Sequence, residues 1–119
     1  MVMRGGDEKL EEFAVPAYLF AAIEIHDMDE YGLYRGLTPK AIAAFPDLKG
    51  LSADDHPVML EGTQPANHLA LARSASMDSA KSFYHSEAYQ AAMRHRQNGS
   101  EARFYMIMRG SDKKPLSHG

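Results

Sequence analysis

A chain of 119 residues with a formal net charge of −3 suits one domain, in which folding buries roughly two-thirds of the unfolded surface. Hydrophobic residues at 45% and charged residues at 24% describe an ordinary soluble globular protein, with no electrostatic reason to expect nucleic acid. Zero cysteines exclude disulfides, thiolate metal sites and cysteine nucleophiles, and no apolar run approaches the roughly 20 residues of a membrane span.

Residues 1–15 read as an N-terminal arm. Gly5-Gly6 and the acidic run after it offer at most a short helix with Leu10 and Phe13 as its apolar anchors. The start turns acidic where a secretory signal would become apolar, so a bacterial-type cytoplasmic protein is expected. Ala17–His26 is the first strand. Leu19, Ala21, Ile23 and Ile25 share one face, and Tyr18, Phe20, Ala22, Glu24 and His26 share the other.

Asp27 starts a helix, with Asp27-x-x-Glu30 resembling a capping box. Tyr31, Tyr34, Thr38, Ile42 and Phe45 form its stripe. Pro39 removes an amide donor mid-helix, so a kink or a restart after Thr38 is expected. Residues 46–57 are rich in turn formers and read as a loop with at most a short strand. Val58–Glu61 and His68–Ser74 read as two strands joined by a turn over Gly62–Asn67.

From Ser76 the spacing is helical again. Ala80, Phe83 and Tyr84 are followed by Ser86, which is placed to cap a second segment carrying Tyr89, Ala92, Met93 and Arg96. Gly99 is suited to end that segment in a left-handed conformation. Arg103–Arg109 closes the pattern as a strand, with Phe104, Met106 and Met108 on one face and Tyr105 and Ile107 on the other. Two apolar faces suggest a central strand. Residues 111–119 form a polar tail.

The order β, α, β, β, α, β with right-handed crossovers predicts a ferredoxin-like α+β sandwich over residues 16–110, an antiparallel sheet with its helices on one face. The other face would carry Tyr18, Phe20 and one side of the last strand as an apolar patch. A homodimer that pairs two such faces is expected.

The ordered run AYLFAAIEIHDMDEY, TPKAIAAF, VMLEG, FYHSEAYQAAMRHR and MIMRG resembles a small bacterial family known as domain of unknown function thirteen-thirty. Its most specific part is the aromatic-Tyr-x-Ser-x-x-Tyr run, here Phe83, Tyr84, Ser86 and Tyr89, with Arg96 ten residues after the serine. The resemblance covers residues 16–110 and implies the dimeric α/β-barrel superfamily, whose relatives include small monooxygenases, isomerases and haem enzymes. It implies no particular activity for this family. The family's usual tryptophan is replaced by Phe83, and Phe45-Pro46-Asp47-Leu48 stands where a Gly-Gly-Arg lead-in to the second strand is usual.

No phosphate loop, HExxH or nucleophile elbow is present, and no histidines pair at i,i+4. No metal and no cofactor are therefore expected. His26 and His68, at strand ends, are able to meet Glu24 or Glu61, although ligand spacing is absent. Arg96 shares the buried stripe of Tyr89 and Met93 and needs either a route to solvent or a carboxylate, for which Glu61 is the obvious partner. The candidate pocket comprises His26, Tyr31, Tyr34, Glu61, His68, Tyr84, Tyr89 and Arg96. Two classes stay open. One is a dimeric module binding a small organic ligand, anionic or aromatic; the other is a cofactor-independent enzyme, monooxygenase- or isomerase-like.

Overall fold

In the computed structural model, which describes residues 15–111, the alternating run Ala17–Ile25 forms β1. The arm and tail expected from the sequence lie outside those residues, except where they join the domain. After β1 come α1 (Met28–Ala43), β2 (Lys49–Asp54), β3 (His68–Ser74), α2 (Met77–His85), α3 (Glu87–Gly99) and β4 (Ser100–Arg109). The strands form one sheet in the order β2-β3-β1-β4, and every neighbouring pair is antiparallel.

Register decides which residues face the helices. Leu19 lies between Ala72 and Ile107, and Ala21 between Ala70 and Tyr105. This face packs on Ala41 of α1, Ala80 and Phe83 of α2 and Tyr89 of α3. One residue on, Phe20 lies between Leu71 and Met106, and Tyr18 between Arg73 and Met108. Among the described residues, that second face carries no helix.

The helix ends follow their capping residues. Asp27 Oδ1 accepts from the amides of Asp29 and Glu30 at 3.0 and 3.1 Å. Glu30 does not close the box; its carboxylate accepts from Asn98 and pairs with His95 Nδ1 at 2.8 Å, tying α1 to α3. Pro39 does not cause a restart, because α1 runs through it to Ala43. The Arg35 carbonyl, which a residue-39 amide would have met, receives the Thr38 hydroxyl at 3.2 Å.

Ser86 separates α2 from α3. Its hydroxyl accepts from the Tyr89 amide at 3.2 Å and donates to the Phe83 carbonyl at 2.7 Å, closing one helix and opening the next. Ser86→Ala is expected to cost about 1 kcal/mol in denaturant unfolding. A change of a few tenths or less would show that the break needs no cap.

Three sequence expectations are corrected. The second strand is Lys49–Asp54, inside the segment expected to be loop with at most a short strand, while Val58–Glu61 is loop and carries the strongly exposed Val58 and Leu60. Pro57 lacks a ladder donor and Gly62 sits at φ 83°, so the apolar tripeptide between them has no strand frame. β2 is an exposed edge strand with Leu51 as its one large apolar residue, so it left no alternation to read. β4 is the opposite edge, not a central strand. Its second apolar face stays open, with Met106 38% and Met108 53% exposed. Gly99 ends α3, but not by a left-handed turn, since Gly62 is the glycine with positive φ among the described residues.

Asp47 pins the segment before β2 to the start of α2. Its Oδ2 accepts from the Ala75 amide at 3.0 Å, the Ser79 hydroxyl at 2.8 Å and the Ser74 hydroxyl at 3.1 Å. The Ala75 amide, then Ser79, hold its carboxyl below the usual aspartate value of 3.8. A pKa lowered by folding gives stabilisation that is full above the unfolded value and fades as pH falls through the folded one. Unfolding free energy is therefore expected to decline below pH 3.8, and Asp47→Asn to flatten that decline. An unchanged acid limb in the variant would remove Asp47 from the explanation.

Candidate functional site

Four elements bring aromatic side chains to one place beneath the sheet. Tyr31 and Tyr34, three apart, lie on one side of α1; Phe83 and Tyr84 come from α2, Tyr89 and Arg96 from α3, and Tyr105 from the helix-facing side of β4. Tyr89 is the hub. Its ring centroid is 4.7 Å from Phe83, 5.5 Å from Tyr84 and 6.0 Å from Tyr34. Its hydroxyl shares a 2.8 Å hydrogen bond with that of Tyr34.

Beside this hub the interior is not filled. A cavity of about 340 Å³ lies between the sheet and the helices, within the size range of small-molecule sites. Leu19, Ala21, Ala70, Ala72 and Ile42 give it apolar walls, while Tyr34, Tyr89 and Tyr105 supply phenols. The small residues at positions 21, 70 and 72 create the space, since they are register neighbours on the helix-facing side of the sheet. No Asp, Glu, His, Lys or Arg lines it among the described residues.

Arg96 stands behind the phenols. It is 4% exposed, its guanidinium carbon lies 5.4 Å from the Tyr105 centroid and 5.9 Å from that of Tyr34, and its Nε has no hydrogen-bond partner. Burial disfavours its charge, and the protonated phenols around it offer aromatic faces and hydroxyl oxygens rather than a counter-charge. Aromatic faces attract a guanidinium without neutralising it. The expected ion pair with Glu61 does not form: Glu61 is exposed in the loop between β2 and β3, and no carboxylate among the described residues bridges Arg96.

The phenols are donors, not bases. Burial, then the nearby Tyr89, pushes Tyr34 and Tyr105 far above the ordinary tyrosine value of 10.0. Both stay protonated at any physiological pH.

Of the sequence candidates, Tyr34, Tyr84, Tyr89 and Arg96 meet in this cluster. Tyr31 touches it at one end, 5.2 Å from Tyr34, and its ring lies 5.8 Å from that of His68. His68 is buried and pairs through Nδ1 with Asp55 at 2.7 Å. Asp55 lines a separate hollow of about 330 Å³ with Arg35, His56 and Asn67. His26 and Glu61 are exposed and join neither group. The trio of His26, His68 and Glu24 or Glu61 does not assemble; Glu24 accepts from the Asn67 amide, and no metal-competent cluster of three occurs among the described residues. Tyr105 is the site residue the candidate set lacks, although strand alternation had placed it opposite the Met face. Asp55 left no sequence signal, because it sits in a loop with no period.

Comparison with known proteins bears on fold and family. A protein of unknown function from Rhodopseudomonas palustris superposes with a TM-score of 0.64 at 15% identity, over 97% of this chain and 95% of that one. SnoaB, a cofactor-independent oxygenase from Streptomyces nogalater, gives 0.58 at 9% identity, over 88% and 100%. A dimeric protein of unknown function and ferredoxin-like fold from Bacteroides fragilis gives 0.51 at 13% identity, over 80% and 95%. None of the curated proteins matches. At these identities the likeness is one of fold, a four-stranded antiparallel sheet with three helices in the ferredoxin-like α+β class. No helix among the described residues is long and apolar enough to cross a membrane. The family described as "Domain of unknown function (DUF1330)" matches residues 16–110, and the chain belongs to it.

Proposed function

We propose that this protein binds a small, largely apolar organic molecule in the cavity between sheet and helices, as a homodimer built on the uncovered sheet face. The cavity carries the reading: it is apolar on its walls, with phenolic donors to meet an oxygen of the ligand. Walls of alanine, leucine and isoleucine favour an aromatic or alicyclic body, and Tyr34 orients its polar end. The test is a thermal-shift screen of phenols, quinones and small aromatic acids. A ligand at a hundredfold its Kd stabilises by about 2.7 kcal/mol, enough to move the transition by several degrees. A screen without any saturable shift would count against the cavity.

The dimer rests on the open face, where Phe20 packs edge-on to Phe104 at 5.2 Å with Met106 and Met108 beside them. Soluble monomers seldom leave such a contiguous patch in water. Pairing two faces is expected to bury about 1,600 Å² or more. Light scattering at micromolar concentration is expected to give twice the chain mass, and a monomeric mass would remove the dimer.

One observation favours an enzyme as the second reading. Asp55 fixes the His68 imidazole through Nδ1, the arrangement that orients a general base. SnoaB, of similar fold, acts without a cofactor. If this chain is also such an enzyme, monooxygenase- or isomerase-like, its chemistry belongs to the hollow that Asp55 lines, since no histidine among the described residues lines the cavity, and Asp55→Asn should slow turnover while leaving ligand affinity in the cavity unchanged.

A further inference from the structure

Arg96 is a buried cation with no counter-charge among the described residues. The described residues offer it two aromatic faces, with the Tyr89 hydroxyl near by but not in a formed hydrogen bond, and its Nε remains unpartnered. A buried charge normally carries a partner, because desolvation without one costs several kcal/mol. The titratable groups that surround it among the described residues include phenols from four elements: Tyr31 and Tyr34 from α1, Tyr84 from α2, Tyr89 from α3 and Tyr105 from β4. None of them supplies a negative charge.

The hydrogen-bond direction follows from what each group can do. A guanidinium only donates. Beside it, the Tyr89 oxygen is best used as an acceptor, so its proton points to Tyr34, 2.8 Å away. The Tyr34 proton is then free to point into the cavity that Tyr34 lines. Arg96, Tyr89 and Tyr34 thus form a file of donors that ends at the ligand. In a cavity without acidic walls, such a file stabilises negative charge on a ligand oxygen.

Building on the cavity reading, we propose that the ligand class is an acidic phenol or enol, held as its anion at the end of the file Arg96–Tyr89–Tyr34, so that the ligand oxygen supplies the counter-charge that Arg96 lacks. On binding, the ligand O–H releases its proton to solvent and the oxygen keeps the electron pair as an anion facing the Tyr34 hydroxyl. Arg96 is a positioning residue here, acting through the two phenols.

Para-nitrophenol tests this directly, because its phenol and phenolate forms absorb at different wavelengths. Its uncharged methyl ether, para-nitroanisole, reads the cavity alone. Bound nitrophenol is expected to be at least about tenfold more acidic than in water, one pKa unit being a tenfold change. Arg96→Met should abolish that difference while nitroanisole still binds, and Arg96→Lys should restore part of it. Nitrophenol bound with its ordinary acidity overturns the anion proposal and leaves the cavity reading standing. Failure of both probes to bind overturns the two together. Should Arg96→Met not fold, Tyr34→Phe decides: a reduced acidity shift supports the donor file, and an unchanged one overturns it.

Discussion

Gly99→Ala is expected to destabilise the fold by about 3 kcal/mol. A Cβ at position 99 would stand 2.8 Å from the Asp27 carbonyl oxygen, 2.8 Å from Glu30 Cβ and 2.9 Å from the Tyr31 amide nitrogen. Two of these atoms are backbone and cannot swing away. The Gly99 carbonyl also accepts from the amides of His26 and Asp27 at 3.0 Å, so the end of α3 cannot withdraw without losing those bonds. Alanine would ordinarily add about 1 kcal/mol to a helix through propensity, but a clash against backbone outweighs it. Denaturant unfolding decides between the two, and a variant as stable as the parent would mean that α1 and α3 are not this close.

Tyr89→Ala is expected to cost about 4 kcal/mol, the middle of the range for emptying a buried aromatic site. The side chain is 1% exposed and packs on Phe83, Tyr84 and Tyr105 while bonding Tyr34. Packing rather than the hydroxyl should dominate. Tyr89→Phe keeps the ring and leaves the Tyr34 hydroxyl one partner short, for a loss of about 1 kcal/mol. Equal losses in the two variants would make the hydroxyl, not the ring, the main contributor.

The parts of the fold that were legible in sequence are those whose period matched their burial. Leu19, Ala21 and Ile23 alternate and lie buried on β1; Tyr89, Ala92 and Arg96 repeat helically and lie buried on α3. Asp27 and Ser86 cap helices as their residue types require. β2 was not legible, because Lys49–Asp54 is exposed along its length and no burial imposes a pattern on it. Val58–Leu60 misled for the opposite reason: three apolar residues in sequence read as a strand, yet they project into solvent. β4 has two apolar faces because it covers helices on one side and belongs to the open patch on the other, not because it is central.

The site divides in the same way. Arg96 was identifiable from helical phase alone, since a charge on a buried stripe stands out. Its partner was not. Glu61 looked suitable by type, but residue type cannot tell a carboxylate held out on a loop from one turned inward. The cavity itself was beyond reach, because it arises from Ala21, Ala70 and Ala72 meeting across strands whose register the sequence leaves open.

The most direct measurement is a calorimetric titration of a naphthol into the wild-type protein and into Ala70→Leu. Ala70 is on the helix-facing side of β3 and lines the cavity, so a leucine there takes up the space the ligand needs. The expected result is saturable binding of one ligand per protomer by the wild type and its loss in the folded variant. Equal binding by both proteins, or none by the wild type, would contradict the cavity as the site.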